Sequence, residues 1–66
     1  MQLKQALAAK GYSVRQFWDV MTKDYLLTYQ QVARFCRCNN RTKGDPLIWK
    51  WIDEKLAELE VNWIEG

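Results

Sequence analysis

The stretch TYQQVARFCRCNNRTKGDP, residues 28–46, decides how the chain should be read. Thr28 is a candidate helix N-cap, and Gln31 follows three residues later, the spacing of a capping box. Tyr29, Val32, Ala33 and Cys36 recur at i, i+3, i+4 and i+7, which predicts a helix over about 29–37 with those side chains turned inward. Gln30, Gln31, Arg34 and Arg37 then point outward, and Phe35 lies toward one flank. Asn39, Asn40 and Gly44 break the helix. Asp45 and Pro46 start the next one, with Asp as N-cap and Pro at the first helical position.

Working outward, the helix that begins at Pro46 is predicted to run to about Leu59. Ile48, Ile52, Leu56 and Leu59 form its inner face, with Trp49 at the edge and Trp63 in line to continue it. Trp51 falls roughly 100° off that stripe. Upstream, Leu3, Ala6 and Leu7 mark a first helix over about 2–10, which Gly11 can end in the left-handed conformation. Ser13 and Gln16 have capping-box spacing again. They open a helix over 14–21 that would bury Val14, Phe17, Trp18 and Met21. The connection TKDYLL carries Tyr25, Leu26 and Leu27, apolar enough to pack down. Neither a repeat nor a strand-like alternation interrupts this pattern. The expected fold is all-α, four helices in one domain spanning 1–66.

Sixty-six residues lie near the lower limit for folding without a metal, disulfides or a partner. A core of this size stabilises a monomer by only ~3–5 kcal/mol, so a homodimer is expected. Cys36 and Cys38 are too close for a comfortable disulfide. Without His they do not make a four-ligand zinc site. Cys36 reads as a small buried hydrophobe and Cys38 as a reduced surface thiol. The opening MQLKQALAAK has no continuous apolar run of the signal-peptide kind, and no stretch approaches the ~20 apolar residues of a membrane span. A cytoplasmic setting is expected.

Charge is unevenly placed. Residues 1–43 carry eight Lys or Arg against two Asp, a net charge of +6, whereas residues 44–66 carry two Lys against six acids, a net charge of −4. An anion-binding face built before residue 44 is the natural inference. Catalysis is not expected. Without His, base duty would fall on carboxylates spaced like a solvated helix face, and there is no Gly-rich phosphate loop. No cofactor is implied.

The order of elements in LKQALAAKGYSVRQFWDVM resembles the opening of the phage repressor/Cro type (lambda-repressor-like) of helix-turn-helix domain. NNRTKGDPLIWKWI resembles the basic, Gly/Asn-containing loop and Pro-initiated helix that follow in that family. The resemblance covers residues 3–58. It implies that the helix from Ser13 crosses the DNA backbone and that the helix over 28–37 enters the major groove. Gln30, Gln31 and Arg34 would reach base edges, since Arg matches guanine and Gln matches adenine. Arg37, Asn40, Arg41 and Lys43, with Arg15 and Gln16 from the preceding helix and Lys4 as an alternative to Arg15, would hold phosphates. The chain departs from the pattern in a longer connection over 22–27, in Trp18 where the family has Ala, and in lacking a fifth helix.

Placing the motif one helix later, with PLIWKWIDEKL as reader, would turn Asp53, Glu54 and Glu58 toward phosphates, and is disfavoured for that reason. The expected function is therefore a small transcriptional regulator of phage or prophage type, binding double-stranded DNA as a dimer. The alternative is a small protein that inhibits a host protein through a Trp/Tyr-rich surface. Trp49, Trp51 and Trp63 are the interface candidates for a dimer or such a partner.

Overall fold

Three helices begin on the same local device, a Gln at the third helical position folded back on the cap. In the computed structural model, which describes all residues Met1–Gly66, α1 spans Leu3–Ala9, α2 Val14–Met21, α3 Tyr29–Cys36 and α4 Pro46–Leu59. Ser13 Oγ accepts from the Gln16 amide at 3.1 Å while Gln16 Oε1 accepts from the Ser13 amide at 2.8 Å. Thr28 and Gln31 repeat the arrangement at 3.1 and 2.9 Å. At α1, Gln5 Oε1 accepts from the Gln2 amide at 2.8 Å. Each box satisfies amides that the first helical turn leaves without partners. Asp45 Oδ1 caps α4 through the Leu47 amide at 2.9 Å, with Pro46 at the first position.

The chain is all-helical, with four helices and no strand. Leu3, Ala6 and Leu7 of α1 meet Phe17 and Met21 of α2 and Val32, Phe35 and Cys36 of α3. α4 closes this core with Ile48, Trp49, Ile52 and Leu56. No helix is long and apolar enough to cross a membrane.

α4 stops at Leu59 because Glu60 adopts the left-handed conformation (φ 57°, ψ 40°). The last six residues then run back over the molecule instead of extending the helix. Val61 and Trp63 enter the core, Trp63 Nε1 donates to Met1 O at 2.9 Å, and the Gly66 amide donates to Asn39 O at 3.0 Å. Trp63 thus reaches the core from a returning tail, not from the helical stripe expected of it.

Several burial expectations change once the helices pack. Tyr29, expected inside, is 42% exposed, because it opens α3 at the rim and meets only the edge of Trp18, at 5.8 Å and 88°. Phe35, expected on a flank, is buried, because α4 covers that flank and Trp49 stands edge-on to its ring at 4.8 Å. Leu26 does not pack down. Val14, Trp18 and Leu59 are half-buried around the core.

Candidate nucleic-acid interface

α3 presents Gln30, Gln31, Arg34 and Arg37 on its exposed face, as the spacing predicts. Tyr29, Gln30, Ala33, Arg34 and Arg37 line a shallow groove along it. Neither arginine takes part in an ion pair, and the Gln30 side chain has no hydrogen-bond partner within the chain. Gln31 differs, because its Oε1 already holds the Thr28 amide. A Gln pairing with adenine uses its oxygen and its amide together, so Gln31 brings chiefly its NH2 to such a contact. Gln16 is committed in the same way to Ser13.

The loop after α3 adds Lys43. A second groove runs between α3 and the start of α4. Gln31, Arg34 and Lys43 stand on its walls, Phe35 and Ile48 in its lining, and Asp45 is its one carboxylate. Beyond it, Arg37, Cys38, Asn39, Asn40, Thr42 and Lys43 surround a small polar cleft. Two cations beside amide and hydroxyl groups are chemistry that suits a phosphate. Asn40 serves the loop first, since its Oδ1 accepts from the Thr42 amide at 3.1 Å and from the Thr42 hydroxyl at 2.6 Å. Only its amide NH2 remains for an outside ligand. On α2, the Arg15 guanidinium lies 5.6 Å from the Trp18 ring, which brings a cation to the α2–α3 side of the surface.

Arg41 does not belong with these residues. Its guanidinium clasps Asp53 through Nε and Nη2 at 2.7–3.1 Å and Glu65 through Nη1 at 2.7 Å. It also lies 4.4 Å from the Trp63 ring. Partial burial works against the charge, but the bonds to Asp53 and Glu65 outweigh it and raise the pKa above the ordinary arginine range. Arg41, expected to hold a DNA phosphate, clasps two carboxylates of its own chain. Three of its five N–H groups are committed to joining the loop, α4 and the tail.

The tryptophan expectation is corrected as well. Trp49 and Trp63 are 4% and 8% exposed and stack on each other at 5.6 Å. The Trp49 indole N–H donates to Lys43 O. Neither ring is free to anchor a partner. Trp51 is half-buried and stacks on Tyr25 at 4.8 Å and 14°, so its main role is to cover the α2–α3 connection. Arg41, Trp63, Trp49 and Phe35 form a continuous chain of contacts, stacked between the two indoles and edge-on at Phe35, from the tail to the inner side of α3.

Two pairings carried no usable signal in the sequence. Arg41 finds Asp53 and Glu65 at separations of 12 and 24 residues. Lys55, expected on a solvated face, is 3% exposed and donates to Asp24 of the α2–α3 connection and to Glu58 at 3.0 Å. The bonds to Asp24 and Glu58 raise its pKa, and burial opposes the shift without reversing it. The Lys55–Glu58 spacing of three was the one visible hint. Cys36 is fully buried, and burial, with Cys38 nearby, pushes its thiol up to about 12.

Of the ten Lys and Arg side chains, Arg41 and Lys55 are the two held in ion pairs. The other eight are exposed, among them Arg15, Arg34, Arg37 and Lys43. No family model matches the chain, and no curated protein or solved structure is significantly similar to it.

Proposed function

We propose that the protein is a small DNA-binding regulator of the phage repressor/Cro-like helix-turn-helix type, in which α2 braces the duplex backbone and α3 reads the major groove. One observation carries this reading. The chain's cations divide into two locked in internal pairs and a set left open, of which Arg34 and Arg37 share a groove with the unpartnered Gln30 and Lys43 shares the neighbouring groove with Arg34 and Gln31. Arg34 and Gln30 are assigned to base edges, with Gln31 adding its NH2. Arg37 and Lys43 hold phosphates, together with Arg15 or Lys4, and the Asn40 amide assists.

The regulator acts as a dimer with its two reading helices ~34 Å apart, one turn of DNA. Met1 and Ile64 are both exposed apolar residues, brought near each other by a bond from the terminal amine to Ile64 O at 3.1 Å, and we assign them to that association. Occupying a promoter-proximal site would then exclude or recruit polymerase.

The test is selection of duplexes from a random pool, followed by anisotropy titration at several salt concentrations. With three cationic phosphate contacts per protomer, the slope of log K against log salt is expected near −2.7 per bound protomer. Arg34→Ala combined with Arg37→Ala should abolish selectivity and weaken binding at least tenfold. Undiminished affinity in that double variant would remove α3 from the reading role.

A further inference from the structure

Tyr29 is an exposed ring that the reading of α3 leaves without a use. It is 42% exposed, although its place in the apolar stripe of α3 would turn it inward. The ring is nevertheless held. Trp18 of α2 meets it edge-on at 5.8 Å and 88°, and Trp18 is itself fixed by its indole N–H, which donates to Leu27 O at 3.0 Å. The same indole carries the Arg15 guanidinium at 5.6 Å. The far end of Tyr29 is free. Tyr25 spends its hydroxyl on Glu54 at 2.7 Å, whereas the Tyr29 hydroxyl has no hydrogen-bond partner in the chain.

We infer that the Tyr29 hydroxyl donates to a DNA phosphate at the α2 edge of the reading helix. This deepens the reading of α3 proposed above and rests on it. The groove along α3 fixes the side of the molecule on which Tyr29 stands, since Tyr29, Gln30, Ala33, Arg34 and Arg37 line it together. Within that groove the helical period sorts the side chains into two neighbouring rows. Gln30 and Arg34, four residues apart, form the row assigned to base edges. Tyr29, Ala33 and Arg37, also at steps of four, form the row whose arginine is assigned to a phosphate. Contact with Trp18 puts the start of that second row against α2, the helix that braces the duplex backbone in this reading. A neutral hydroxyl there, with Arg15 on the adjoining indole, is suited to donate to an anion, and the phosphate is the anion a duplex presents. Tyr29 and Arg37 are eight residues apart, ~12 Å along the axis at about 1.5 Å per residue, so they take different phosphates.

The test uses the full chain and a duplex selected from a random pool. Each phosphate in turn is replaced by a methylphosphonate, which removes its charge. Tyr29→Phe, which deletes only the hydroxyl, should bind the unmodified duplex about tenfold more weakly than the wild type. At one phosphate per half-site the replacement should weaken the wild type by a similar factor. There it should cost Tyr29→Phe no more than at phosphates outside the contact. Arg37→Ala should stay sensitive at that phosphate and lose sensitivity at another. Because a neutral hydroxyl releases no counterion, the salt slope of Tyr29→Phe should match the wild type, whereas that of Arg37→Ala should be shallower by about 0.9. The deleted hydroxyl has no partner in the chain, so Tyr29→Phe should melt as the wild type does, which separates loss of contact from loss of fold. Wild-type affinity in Tyr29→Phe overturns the assignment while α3 keeps its role. A weakened Tyr29→Phe that keeps wild-type sensitivity at every phosphate overturns it too, because the hydroxyl then meets a base. Failure of the wild type to bind any duplex at low salt overturns both readings.

Discussion

Replacing Arg41 by Met keeps most of the apolar stem and removes the charged fork. The two ion pairs it breaks are partly exposed, with about a third of the Arg41 side chain and more than two-fifths of each carboxylate open to solvent. Screened pairs of that kind contribute ~0.5 kcal/mol each. The guanidinium over Trp63 adds roughly 0.5–1 kcal/mol. Allowing for the charge no longer being desolvated, the net loss is about 1.5 kcal/mol. For a domain of this size each kcal/mol moves Tm by roughly 4–8 °C, so a fall of about 6–12 °C is expected. Circular dichroism melts would measure it, and the deficit should shrink at 0.5 M NaCl as the ion pairs are screened. A double-mutant cycle with Asp53→Asn should return a favourable coupling. The salt slope of DNA binding should stay the same. An unchanged Tm together with a slope reduced by about one would show Arg41 to be a phosphate ligand, and the structural role argued for it would be wrong.

Other outcomes follow from the same geometry. A methyl group added at Gly44 (φ 96°) would overlap the Phe35 ring at Cε1, whereas at Gly11 (φ 87°) it would meet nothing within 4 Å. Gly44→Ala should therefore cost about 1–3 kcal/mol more in urea unfolding than Gly11→Ala, which bears only the ~1 kcal/mol conformational penalty; equal costs would mean the loop does not press on Phe35. The Cys36 thiol rises from 9.0 to about 12 on folding, so its contribution is complete below about pH 9 and is lost as pH climbs toward 12. Tyr25, raised mainly by its bond to Glu54, and Lys55, raised by Asp24 and Glu58, lose theirs on the same alkaline side. Unfolding free energies of wild type and Cys36→Ala from urea titrations should converge by about 1 kcal/mol per pH unit between pH 9 and 11, and parallel curves would contradict the burial argument. Under native conditions a thiol reagent at pH 8 should modify half-buried Cys38 and spare Cys36, as read by peptide mass; prompt double labelling would count against the packed core.

The helices were legible because their signals are local. Ser13–Gln16, Thr28–Gln31 and Asp45–Pro46 act within a turn or less, and each marks the start observed. The exposed set on α3 was legible for the same reason, since Gln30, Arg34 and Arg37 are placed by helical period alone. What misled was judging a residue by type without its neighbours. Arg41 looked like a solvated loop cation because Asp53 and Glu65 are distant in sequence. Tyr29 looked like core because the stripe cannot say where the rim lies. Trp49 and Phe35 looked peripheral because each was placed by its own helix, and it is their mutual packing that buries both.

By itself, then, the sequence determined four helices, their caps, the break at residues 39–44, and a basic segment turned outward on α3. Those features arise from interactions over three or four residues and from the 3.6-residue period, and they hold whatever the chain packs against. Tertiary structure alone decided which charges remain available and which aromatics stay outside. The tail folds back so that Trp63 reaches Met1 across 62 residues, and the same return brings Glu65 to Arg41. Lys55 is likewise covered only where α4 meets Asp24, 31 residues away. A cation's partners are set by proximity in space, and no local pattern encodes a separation that only the packed core brings about.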